Sequence, residues 1–142
     1  MTPAEAPRIK RLLEDLAHGD VAKKFVAIND LGQLGDPGAI PKLSEAGLGH
    51  ESRAIRGCLA MALANIGHVD GIPAIKTLLG DREKYVQDEA VKALKAVAGK
   101  MKGQNLQQNP HALALARIAP HLSSKSAGEL KYLLEKELGE IQ

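Results

Sequence analysis

Adjacent histidine and glutamate residues could contribute to a metal site, and His50-Glu51 is the one such pair in the chain. A metal site needs several ligands that converge in space, because imidazole and carboxylate groups must fill one coordination sphere. The remaining histidines have no metal-type spacing with carboxylates: His18, His68, His111 and His121. We therefore interpret His50 as a helix-start or turn residue, and we expect no metal or other cofactor.

Cys58 is the single cysteine and the only candidate thiol nucleophile. A reactive thiolate requires exposure together with a helix N-terminus or a nearby positive charge. Arg56 is close in sequence, but Cys58 lies beside Leu59 and Met61 in an apolar segment. We predict a buried, unreactive thiol. The chain also lacks nucleophile-elbow, phosphate-loop and paired-cysteine motifs, so we expect no enzyme activity.

Positive charge is concentrated in one part of the chain, although the net charge is only +2. Residues 90–128, here called the basic segment, contain six basic and no acidic residues: Lys92, Lys95, Lys100, Lys102, Arg117 and Lys125. Such a cluster can attract nucleic acid or an acidic protein, or it can be an ordinary solvated surface. The sequence leaves these interpretations open.

Composition indicates a helical protein that does not rely on aromatic stacking. Alanine is abundant, and the only aromatic residues are Phe25, Tyr85 and Tyr132, which disfavours sugar sites and single-strand nucleic-acid sites. One cysteine cannot form an internal disulfide, and the start of the chain does not resemble a secretory signal. The longest uncharged apolar stretch, residues 57–67, is shorter than the roughly 20 residues that span a bilayer. We expect a cytoplasmic protein that does not enter membranes.

The sequence contains an internal repeat of about 32 residues. Leu31-Gly32-Gln33-Leu34-Gly35 aligns with Leu63-Ala64-Asn65-Ile66-Gly67, and a third copy follows at Leu94-Lys95-Ala96-Val97-Ala98. Apolar residues in the second copy follow a helical period: Ile55, Leu59, Ala62, Leu63 and Ile66. Each such helix ends in a glycine-rich turn, and a shorter helix with a proline near its start follows.

These patterns predict one all-α domain built as a solenoid of stacked helical hairpins, because each hairpin buries its apolar stripe only against its neighbours. We predict eight helices. The expected divisions are a disordered tail over residues 1–6 and one domain over 7–142, made of a cap helix 7–17, repeats at about 20–48, 51–80 and 83–122, and a terminal helix 125–140. The polar stretch 99–109 has no period, and its conformation stays open.

Residues 81–94 resemble the HEAT-like repeat, which has an aspartate, a spacer, valine-arginine, and then alanine and alanine-leucine. Asp81, Val86 and Ala93-Leu94 match this pattern, and the second copy has Ile55-Arg56 at the valine-arginine position. Gln87 replaces the arginine in the third copy. The resemblance covers residues 7–98 well and the last third loosely.

The resemblance implies a solenoid whose second helices line a concave, partner-binding surface. The polar positions on these helices are the candidate binding residues, together with four lysines of the basic segment: Lys42, Glu45, Lys76, Thr77, His111 and Arg117, and Lys92, Lys95, Lys100 and Lys102. We expect a non-catalytic scaffold for a partner protein, and an acidic protein is one candidate. Two alternatives are nucleic-acid binding through residues 92–125 and an accessory subunit of a bilin-lyase-type enzyme, since that repeat also occurs in bilin lyases.

Overall fold

A computed structural model describes residues 5–101 and 108–141. Within these ranges the chain forms eight α-helices and no strand, which confirms the predicted all-α stack of hairpins. The helices are α1 (Glu5–His18), α2 (Val21–Leu34), α3 (Ile40–Gly47), α4 (Arg53–Ile66), α5 (Ile72–Leu79), α6 (Lys84–Met101), α7 (Pro110–Ile118) and α8 (Ala127–Glu137).

Helix ends follow local capping chemistry. The side chains of Asp20 and Ser52 accept hydrogen bonds from backbone N–H groups in the first turns of α2 and α4. Gly35 and Gly67 close these two helices in the left-handed conformation, with φ of 75° and 65°, which side chains other than glycine rarely adopt. The predicted turns therefore end the first helix of each hairpin.

The long first helices α2, α4 and α6 pack side by side and form one layer of the domain. The short helix α3 packs against α4, and the short helix α5 packs against α6. At the C-terminal end, α7 and α8 pack against each other and against α5 and α6. The core is continuous through the repeats. The predicted apolar positions of α4 are buried, and so are their counterparts in α6: Val86, Ala90, Ala93, Leu94 and Val97.

Several observed boundaries differ from the predicted ones. Helix α1 begins at Glu5 and so includes two residues of the predicted disordered tail 1–6, and α8 is shorter at both ends than the predicted helix 125–140. Helix α6 continues to Met101, and the central part of the stretch 99–109 lies outside the described residues. No helix in the described ranges is both long and apolar enough to cross a bilayer.

Candidate functional site

We call the surface formed by α1, α3, α5 and α7 the second-helix face. Residues of the described ranges line three grooves along it. The first groove, between α1 and α3, has a volume of about 430 Å³. A small groove of about 130 Å³ lies between α1, the C-terminal end of α2 and the start of α3. The third, of about 670 Å³, lies between α3 and α5 and reaches the start of α7.

The three grooves are neighbours on this face. Leu13 and Lys42 line both the first groove and the small one, and Gly38 lines both the small groove and the third. The grooves therefore follow one another from α1 to the start of α7. Open neighbouring grooves suit an extended or helical peptide better than a compact small molecule.

The third groove brings together Thr77 and His111, which the sequence singled out, with residues that it did not, including Ser44 and His68. The Thr77 hydroxyl donates to the Pro73 carbonyl oxygen over 3.3 Å. The His68 Nδ1 accepts from the backbone N–H of Asp70 over 3.1 Å. These side chains are positioned by their own helices and turns, so the groove presents fixed polar groups.

Lys42 and Glu45 line the first groove, at the opposite end of the face. Lys76 and Arg117 are placed differently, because each is paired with a carboxylate near the C-terminus. Lys76 Nζ lies 2.6 Å from Glu140 Oε2, and only 15% of the Lys76 side chain is exposed. Arg117 lies 3.2 Å from Glu137. Neither acidic partner was among the predicted site residues.

The basic segment does not present its charges on one surface. Lys92 and Lys95 lie on exposed positions of α6, in the layer of first helices, whereas Arg117 lies on α7. Lys92 pairs with Glu89 over 3.1 Å, and Lys100 donates to the Asn65 carbonyl at the end of α4 over 3.0 Å.

Two further lysines complete the predicted set. Lys95 forms no ion pair with any described residue, and Lys102 lies outside the described residues. Some of the predicted binding residues therefore lie together along the second-helix face, whereas the lysines of α6 lie elsewhere.

An ion pair between α4 and the turn before α6 is the most buried charged contact described. Arg56 of α4 donates to both carboxylate oxygens of Asp81, over 2.6 and 3.2 Å, and their side chains are 3% and 8% exposed. Arg56 also donates to the carbonyl oxygens of His50 and Glu51. This contact joins the second repeat to the third. Arg56 and Asp81 occupy the arginine and aspartate positions of the repeat pattern, and the sequence pointed to the contact in this way.

His50 has a helix-start role, since its Nδ1 accepts from the Ser52 N–H over 2.9 Å just before α4. Within the described ranges, no three histidine, cysteine or acidic residues are arranged to hold a metal ion.

Cys58 is buried as predicted, with 3% of its surface exposed, and it lines none of the three grooves. Its thiol lies 3.6 Å from the Phe25 carbonyl oxygen, and burial raises its pKa from 9.0 to about 11.

We expect Cys58 to react with iodoacetamide at pH 8 at least about 100-fold more slowly than a free thiol. Burial limits access of the reagent to the thiol, and the raised pKa lowers the fraction that is thiolate. Mass spectrometry of timed samples, with and without denaturing urea, measures this. Rapid labelling of the folded chain would contradict the buried assignment, and the urea sample controls for reagent quality.

A family model described as HEAT repeats matches residues 9–108 of the chain. No curated protein matches the chain at significant similarity.

Proposed function

Because the chain belongs to the HEAT repeat family, whose members are commonly protein-interaction scaffolds, we propose that it is a non-catalytic docking module for a partner protein. The second-helix face holds a segment of that partner. The module acts in the cytoplasm, needs no cofactor and does not enter a membrane.

The observation that carries this proposal is the set of three neighbouring grooves between α1 and the start of α7. The walls of these grooves are helices fixed by the common core, so a bound segment meets side chains already in place. Binding to a preformed surface loses less ordering entropy than binding to a mobile one. The polar groups around Thr77 and His111 supply orientation, and the apolar residues of α1 and α3 supply buried area.

Ion pairs within the chain make the basic segment a weaker candidate for the binding site than the second-helix face. Lys92, Arg117 and Lys125 each lie within 4.0 Å of a glutamate carboxylate, which reduces the positive potential available to a phosphate backbone. Nucleic-acid binding through residues 92–125 is therefore an outcome to test. A bilin-lyase-type role would use an accessible thiol or a pocket beside it, and burial of Cys58 removes the thiol.

We expect Ser44→Arg/Thr77→Arg to reduce partner recovery at least about tenfold, because two long charged side chains would fill the third groove. The measurement is quantitative mass spectrometry of proteins recovered from native cytoplasm at low and high salt. Each variant is first checked by circular dichroism for an unchanged melting temperature.

The matched control is Lys92→Glu/Lys95→Glu, which changes two exposed residues of α6. Wild-type recovery by this control supports docking on the second-helix face. If the control loses the partner and the groove variant keeps it, the basic segment is the binding site. Recovery of nucleic acid that falls steeply with salt would instead support the nucleic-acid alternative.

A further inference from the structure

We propose that the groove between α1 and α3 binds an acidic segment of the partner protein and takes an apolar side chain of that segment between the two helices. This inference rests on the proposed docking function and adds the chemistry of the partner. It follows from the lining of the first groove and from a comparison of the two ends of the second-helix face.

The groove is lined by apolar and by charged side chains. The apolar ones are Leu13, Leu16, Ala17 and Ala46, of which Leu16 is buried and Leu13 and Ala46 are partly buried. Three lysines come from three different helices: Lys10 of α1, Lys24 of α2 and Lys42 of α3. Apolar side chains with lysines beside them fit a segment that has an aliphatic or aromatic side chain flanked by carboxylates.

The three lysines have unused hydrogen-bonding capacity. No described carboxylate lies within 4.0 Å of Lys10, Lys24 or Lys42, and each ammonium has three N–H donors. Glu14 and Glu45 also line the groove, but neither pairs with a lysine there. The three lysines and two glutamates of the groove carry a net charge of +1.

At the opposite end of the same face, basic side chains are paired with carboxylates of the chain itself. There, Lys76 is paired with Glu140 and Arg117 with Glu137, so residues in and just after α8 supply carboxylates to the basic side chains of α5 and α7. At the α1–α3 end, Glu14 and Glu45 line the groove, but no described carboxylate pairs with its three lysines. The carboxylates that would pair with these lysines are the ones we assign to the partner.

Because lysines and glutamates both line the groove, it also distinguishes an acidic peptide from a nucleic acid. Glu14 and Glu45 would repel a nucleic-acid backbone, in which phosphates follow one another without interruption. A peptide can place its carboxylates opposite the lysines and leave neutral groups beside the glutamates. The groove therefore favours an acidic peptide over a polyanion.

Selection from a displayed library of random 12-residue peptides tests this without a known partner. Wild type should enrich peptides in which acidic residues flank an aliphatic or aromatic residue. Lys10→Glu/Lys24→Glu/Lys42→Glu should lose at least about tenfold in affinity for those peptides, measured by fluorescence anisotropy, and should itself select basic peptides.

The control is Lys84→Glu/Lys92→Glu/Lys95→Glu, which makes the same change in formal charge on α6. It should bind the acidic peptides within about twofold of wild type, because long-range attraction is screened at 0.15 M salt. Equal losses in both triple variants would mean that net charge, and not this groove, governs binding, and would overturn the inference.

The remaining outcomes separate this inference from the proposed function. Neutral or basic peptides selected by wild type, or no enrichment at all, would overturn the acidic-segment assignment. If Ser44→Arg/Thr77→Arg abolishes binding of the selected peptides while the groove lysine variant does not, docking stands and the assignment of the α1–α3 groove fails. Displacement of the peptides by a 20-nucleotide single strand at 0.15 M salt would indicate a polyanion site.

Discussion

Replacement of Arg56 by alanine is expected to lower the free energy of unfolding by about 3–5 kcal/mol, because it leaves the Asp81 carboxylate buried without its counter-charge. The two side chains are 3% and 8% exposed, and the guanidinium contacts both carboxylate oxygens. The carbonyl oxygens of His50 and Glu51 lose a donor as well. For a small domain with about 5–15 kcal/mol of total stability, this loss is severe.

Urea unfolding followed by circular dichroism at 222 nm measures the effect. Arg53→Ala is the matched control on the same helix, since Arg53 is 71% exposed and lies 3.9 Å from Glu83. It should change stability by no more than about 1 kcal/mol. Arg56→Lys should fall between wild type and Arg56→Ala, because an ammonium cannot reproduce the bidentate contact. Equal effects of the Arg53 and Arg56 variants would refute a special role for the buried pair.

The same pair gives stability a defined pH dependence. Burial raises the pKa of Asp81, but hydrogen bonds from Arg56 and the Glu83 N–H, with the charges of Arg56 and Arg82, outweigh it and lower the pKa below 3.8. A carboxyl group whose pKa is lower in the folded chain stabilises it above the unfolded pKa, and this stability is lost as the pH falls through the folded pKa. Wild-type stability should therefore decline below about pH 4, and the difference from Arg56→Ala should shrink there.

The sequence predicted the core because helical periodicity is a local property. The apolar stripes of α4 and α6 are buried, with Ile55, Leu59, Val86 and Ala90 each 0% exposed, as expected for helices that pack into one layer. The Arg56–Asp81 contact was also within reach of the sequence, since both residues belong to the repeat pattern. Its third-repeat counterpart Gln87 instead donates to the Asp81 backbone carbonyl oxygen over 2.6 Å.

The candidate site depended on contacts that no repeat encodes. Lys76 and Glu140 are 64 positions apart, and they meet only because α8 packs against α5. The groove between α1 and α3 likewise exists only because α1 packs beside α3. The repeat pattern predicted that Lys42 and Glu45 lie on a binding surface, but it did not predict Lys10 and Lys24 beside them, since these belong to other helices.

Gly32→Ala is expected to lower the free energy of unfolding by about 1–3 kcal/mol, although alanine is the better helix former by about 1 kcal/mol. Gly32 lies inside α2, where an added Cβ would come within 2.7 Å of Ala62 Cα and 2.8 Å of Ala62 Cβ on α4. Neither atom can rotate away, so the two helices would have to separate. Urea unfolding, with the slope of the transition compared to wild type, measures the change.

Gly99→Ala in α6 is the matched control, because no described atom lies within 4 Å of its added Cβ. It should raise the free energy of unfolding by about 0.5–1 kcal/mol through helix propensity alone. Destabilisation by Gly32→Ala together with stabilisation by Gly99→Ala would show that the contact between α2 and α4 outweighs helix propensity at position 32. Stabilisation by both would mean that the layer of first helices can widen without loss, and the close approach of α2 and α4 would then not explain the glycine at position 32.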